Sequence, residues 1–168
     1  MGAIERREEI IKLLIEKNGA IKGTELAELF GVTRQIIVKD IAILRAAGKN
    51  IIATPDGYIY NKNINKVKAI IAVNHTSNRT MEELEIVVKY GGIIEDVIID
   101  HPLYGEIRGN LMIKNLNDLN KFENKFNNKS AKPLSNLTNG IHLHTIAADN
   151  EEDIESIKQE LSEKGFLL

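Results

Sequence analysis

The sequence contains no cysteine among its 168 residues. That excludes a disulfide framework and requires that any bound metal be held by nitrogen and oxygen. It lacks any stretch near the roughly 18 apolar residues of a membrane span, and its opening, MGAIERREEIIKLL, mixes acids with bases, unlike a secretory leader. The expectation is a cytoplasmic protein with no membrane partner, in which Asn-x-Ser/Thr triplets such as Asn74-His75-Thr76 have no meaning for glycosylation. A strong charge of either sign is also missing, since 22 Lys/Arg stand against 24 Asp/Glu. Residues 1–62 carry 10 basic and 8 acidic side chains, and residues 63–168 carry 12 and 16. This mild asymmetry permits nucleic-acid binding by the first part without demanding it.

What is present is ordinary globular material, 43% hydrophobic and 27% charged, enough for one or two domains with a real core. Residues 3–17 place Ile4, Ile11, Leu14 and Ile15 close to the spacing of an amphipathic helix, stopped by Asn18-Gly19. A second helix is expected over 24–30, capped by Thr24, and a third over 34–47, opened by Thr33 and halted by Gly48. The stretch NIIATPDGYIYN reads as a hairpin around Pro55-Asp56-Gly57. Three helices, the last two joined by a short turn, followed by a hairpin make a winged helix-turn-helix. In the third helix Ile37, Ile41 and Leu44 face the core, leaving Thr33, Arg34, Gln35, Val38 and Lys39 as DNA-contact candidates. Tyr58 and Lys62 are weaker candidates for phosphate contact.

The polar stretch 61–66 reads as a linker, giving domains over 1–62 and 63–168. The second has the order strand (67–73), helix (80–91), strands (95–100 and 106–113), helix (116–126), strand (140–148), helix (151–165). That order predicts an α+β fold, a ferredoxin-like sandwich of an antiparallel sheet with helices on one face. The long polar loop over 127–139 has the length of a functional cover.

All four histidines fall in this second domain. His142 and His144 in GIHLHT are two apart in a strand and therefore share a face. In the expected sheet the first and last strands are neighbours, so His75, at the end of the first, comes near the pair. Glu83, eight residues further on, can swing back to the same place, although Thr80–Glu83 also reads as a capping box and Glu82 or Glu85 are alternatives. Three imidazoles and one carboxylate suit a first-row divalent cation such as zinc, nickel or iron, with coordination positions left open. His101 and Tyr104 lie in DHPLYGE, a turn marked by Pro102 and Gly105, and are candidates for ligand contact.

The segment GTELAELFGVTRQIIVKDIAILRAAGKNIIATPDGYIY resembles the helix-turn-helix of biotin-repressor-like regulators. Joined to His75, DHPLYGEI and IHLHT, the whole chain resembles the NiaR family, transcription repressors built from a helix-turn-helix and a three-histidine (3H) domain. The resemblance implies a protein that binds operator DNA and represses genes of NAD biosynthesis or niacin uptake, and since one winged helix reads only a few base pairs a homodimer is expected. It further implies nicotinic acid as co-repressor and one transition metal per chain on His75, Glu83, His142 and His144. The competing readings are a metal-sensing regulator and a metal-dependent hydrolase. The hydrolase would need a general base beside the metal, and no second carboxylate has the spacing for it.

Overall fold

The computed structural model describes residues 1–128 and 130–168; Lys129, within the expected 127–139 cover, lies outside the described residues. The chain divides into two compact units, Met1–Ile64 and Asn65–Leu168. No helix among the described residues is long and apolar enough to cross a membrane.

The first unit contains α1 (Ala3–Glu16), α2 (Gly23–Phe30), α3 (Arg34–Ala46), β1 (Ile51–Thr54) and β2 (Gly57–Tyr60). The start of α2 differs from expectation: Lys22 is the cap residue, its amide donating to the Glu25 carboxylate at 2.9 Å, and Thr24 lies inside the helix. Gly31, at φ 61°, takes the left-handed conformation that ends α2. Thr33 then caps α3 by accepting from the Ile36 amide. The hairpin closes through Pro55 and Asp56, with Thr54 paired to Gly57. Ile21 joins it through reciprocal backbone bonds with Tyr58, both 2.9 Å.

Ile10, Leu14, Leu26, Ile37, Ile41 and Leu44 form the centre of this unit's core. The buried stripe of α1 is Ile10–Leu14, whereas Ile4 and Ile15 are exposed. With five large apolar residues between positions 10 and 15, periodicity leaves the helix rotation open. A buried carboxylate settles it: Asp40 of α3 accepts from Arg6 Nε at 2.7 Å and from Arg7 Nη1 at 3.3 Å. Arg6, Ile10 and Leu14 follow one another at four-residue steps, so the ionic anchor and the apolar stripe share one helix face.

The second unit contains β3 (Val67–Asn74), α4 (Thr80–Lys89), β4 (Ile93–His101), β5 (Gly105–Ile113), α5 (Leu116–Asn128), β6 (Ile141–Ala148) and α6 (Glu151–Glu163). It is α+β, as its element order implies: an antiparallel four-stranded sheet packed on helices. The strand order is β3-β6-β4-β5. Its first strand is therefore at the edge and its fourth is inside, the reverse of the ferredoxin-like arrangement, although first and fourth are neighbours in both. Element order alone does not distinguish these permutations, because each interleaves two crossover units. Ile71, Val73, Ile94, Ile113 and Ile146 of the sheet pack against Leu84 and Val87 of α4, Leu119 of α5 and Ile154, Ile157 and Leu161 of α6.

Two 3-10 turns, Ser77–Arg79 and Leu134–Thr138, were not legible in the sequence. The second ends at Gly140, whose φ of 93° and close approach to the His75 carbonyl, 2.5 Å from where a Cβ would stand, both require glycine.

Replacing Asp40 by Ala should destabilise the first unit by about 2–4 kcal/mol, because two partly buried guanidinium groups lose their carboxylate. Hydrogen exchange on the full chain should show lost protection within residues 1–64 and none beyond. Unchanged exchange at α1 would remove this contact from the account of helix packing.

Candidate functional site

The β3–β6 register pairs Ile71 with His144 and Val73 with His142. Paired residues lie on the same face, so both imidazoles point into the layer between sheet and helices. His75, two residues beyond Val73, continues that line. The Ser77–Arg79 turn then reverses the chain into α4, and the first turn of that helix delivers Glu83, where the helix dipole also favours a negative charge. The capping alternative for Glu83 is not what the fold uses, since the cap residue is Arg79 and has no side-chain cap bond.

The four side chains meet. Glu83 Oε2 is 2.6 Å from His75 Nε2 and 3.6 Å from His142 Nε2, and Glu83 Oε1 is 3.3 Å from His144 Nε2. Neighbouring rings stand edge to face, with centroids 4.9 Å apart for His75–His142 and 4.8 Å for His142–His144. Donor atoms of His75, Glu83 and His142 all fall within 4.8 Å of one another, a spacing that can hold a metal ion. Side-chain exposure is 1% for His75, 0% for Glu83, 3% for His142 and 5% for His144. The centre is enclosed.

Each ring is oriented from behind by main chain. Nδ1 of His75 lies 2.8 Å from the Thr76 carbonyl, that of His142 2.8 Å from the Gly140 carbonyl, and that of His144 2.5 Å from the Asp96 carbonyl. A carbonyl only accepts, so Nδ1 carries the proton in all three rings, and every Nε2 is aimed at Glu83. Burial opposes ionisation of Glu83, but the charge on His144 and the close imidazoles of His142 and His75 hold its carboxyl well below the usual carboxylate range. Burial likewise opposes the imidazolium of His75 and His144, and the adjacent Glu83 outweighs it, raising both. Even so, Glu83 Oε1 and His144 Nε2 are buried without a hydrogen-bond partner.

Asp96 was missed by sequence reasoning. It sits at an irregularity in the β4 pairing between Ile94 and Ile98. Its carbonyl holds His144, while its carboxylate accepts from the Thr145 amide at 2.8 Å and pairs with Arg108. No residue-type signal singled it out, because EDVIID also carries Glu95 and Asp100. The other two ring holders, Thr76 and Gly140, act through main chain, and only Gly140 is tied to its residue type.

His101 and Tyr104 stay at the tip of the β4–β5 hairpin. His101 Nδ1 accepts from the Leu103 and Tyr104 amides at 3.2 and 3.3 Å, which employs it in the turn, and Tyr104 is largely exposed. In the first unit Ile37, Ile41 and Leu44 are buried, while Arg34, Gln35, Val38 and Lys39 are exposed along α3. Thr33 is exposed as well, with its hydroxyl engaged in the helix cap. Tyr58 is half-buried against the core.

Residues 6–59 match the HTH domain family and residues 68–168 match the 3H domain family. The chain is 44% identical over 164 residues to a probable transcription repressor NiaR of Thermotoga maritima, covering 98% of this chain and 94% of that protein. It is 38% identical over 172 residues to the transcription repressor NadR of Bacillus subtilis, covering 100% and 95%. An uncharacterized protein of Methanothermus fervidus shares 25% identity over 159 residues, only 25% of its length. Relatives that are repressors along nearly their whole length, with a helix-turn-helix at one end, leave no place for the hydrolase reading. The chain is a DNA-binding transcription repressor and belongs to the NiaR family of helix-turn-helix and 3H-domain proteins.

Proposed function

We propose that this repressor controls genes of NAD biosynthesis or niacin uptake, that nicotinic acid is its co-repressor, and that His75, Glu83, His142 and His144 hold one divalent transition metal. The observation that carries the metal is the direction of the three rings. With each Nδ1 proton committed to a carbonyl, each Nε2 faces a carboxylate and needs positive charge between them. Protons on all three would bury a net charge of +2 without solvent, at a cost of several kcal/mol for each uncompensated ion. A proton on His75 alone satisfies one contact and leaves the unpartnered Glu83 Oε1 and His144 Nε2. A first-row cation such as nickel, zinc or iron would supply that charge to all four donors at once. The residues' own part is to pre-orient their donors and exclude water, and such enclosure suits a permanently held ion better than one exchanged as a signal. The nicotinic acid assignment rests on family likeness.

On DNA, Arg34, Gln35, Val38 and Lys39 form the reading edge of α3, Arg34 suited to guanine and Gln35 to adenine. One winged helix covers few base pairs, so the working unit is a two-fold dimer whose reading helices are about 34 Å apart.

The double substitution His142→Ala/His144→Ala should abolish metal content in elemental analysis of the purified chain while far-ultraviolet dichroism stays unchanged. Full retention of metal would sink the four-residue centre. Arg34→Ala should cost about 1–3 kcal/mol on the cognate operator and relax sequence preference. An equal loss on all sequences would reassign Arg34 to phosphate, and no loss would remove α3 as the reader. Nicotinate should tighten operator binding by roughly 5- to 150-fold, and operator should tighten nicotinate binding by the same factor. Anisotropy titrations that superimpose with and without nicotinate would eliminate it as co-repressor.

A further inference from the structure

Beside the enclosed centre lies a cleft of about 540 Å³, within the size range of small-molecule sites. One wall is His75, Thr76 and Ser77; the other is the chain from Lys132 to Gly140. Its lining combines one ammonium group (Lys132), hydroxyl and amide groups (Thr76, Ser77, Asn136) and apolar surface (Leu134, Leu137). No carboxylate lines it among the described residues. Leu137 is 63% exposed, an apolar side chain without a covering partner at the mouth of a polar cleft. Lys132 is exposed and has no ion pair among the described residues.

We propose that this cleft receives a small carboxylate-bearing ring, its carboxylate on Lys132 and its apolar body against Leu134 and Leu137. This rests on the co-repressor reading and names the site where the acid binds. Three further observations favour it. The histidine centre admits almost no solvent, so a free ligand finds its place next to the centre rather than inside it. The Lys132 ammonium in a lining free of carboxylates favours a monoanion over both a neutral amide and a cation. The two walls are already in contact through Ser77 Oγ and Asn136 Oδ1 at 3.1 Å, and the His75 amide reaches the Gly140 carbonyl at 3.4 Å. A ligand spanning them therefore bears on the two main-chain segments, 75–76 and 140, that orient His75 and His142.

The test uses the full chain as purified and isothermal titration with nicotinate, benzoate, nicotinamide and inorganic phosphate. Lys132→Gln and Leu137→Glu alter exposed side chains, so fold and metal content should match the parent, to be checked by thermal melting and elemental analysis. Nicotinate should bind the parent, and both variants should lose roughly 10- to 100-fold in affinity; nicotinamide should bind more weakly and be indifferent to Lys132→Gln. Nicotinate binding that is equal in parent and variants overturns the cleft and leaves the co-repressor reading standing. Lys132-dependent binding of benzoate without any of nicotinate supports the cleft and removes nicotinic acid. Absence of all carboxylate binding, or a preference for phosphate, overturns the cleft.

Discussion

Burying a carboxylate without compensation costs several kcal/mol, and Glu83, with no exposed side-chain surface, is as buried as any side chain of the second unit. Its compensation comes from three rings on two strands, so the geometry of the whole layer follows from it. The β3–β6 register must place His142 and His144 on the helix side, β3 must run on to His75, and the reversal at Ser77–Arg79 must be tight enough to return α4 over them. A slip of one residue in that register would turn both β6 rings to the opposite face and leave the carboxylate alone in an apolar layer.

The first unit uses the same device in a simpler form. Asp40 is nearly fully buried and draws Arg6 and Arg7 of α1 onto α3. In both units the aliphatic core supplies the bulk of the burial but tolerates several packings of isoleucine, leucine and valine. The buried acids are less permissive, because a charged group is satisfied only by partners at particular atoms. The apolar residues thus make each unit compact, and one carboxylate in each fixes how its helices are turned.

The two-part architecture was legible because turn and cap residues punctuate it clearly: Gly31, Thr33, Gly48 and the Pro-Asp-Gly turn each end or begin an element where expected, and Ile37, Ile41 and Leu44 declare the inner face of α3. The rotation of α1 was not legible, since its apolar residues are too many to choose among without Asp40. The convergence of His75, Glu83, His142 and His144 was legible from strand alternation and the adjacency of first and last strands, which two permutations of the sheet share. Its enclosure was not: burial is set by tertiary packing rather than local pattern. The turn-closing use of His101 Nδ1 was not legible, because a histidine at a strand end looks alike whether it contacts a ligand or holds a turn.

The rings are held from behind by the carbonyls of Thr76, Asp96 and Gly140, and a carbonyl is the one acceptor that every amino acid brings. At position 76 the side chain can therefore drift over evolutionary time without erasing the contact, provided the local path of the chain is kept. Apart from Gly140, whose backbone admits only glycine, that support is inherited as shape more than as residue identity. Comparison of sequences will report the inner four side chains more fully than what aims them.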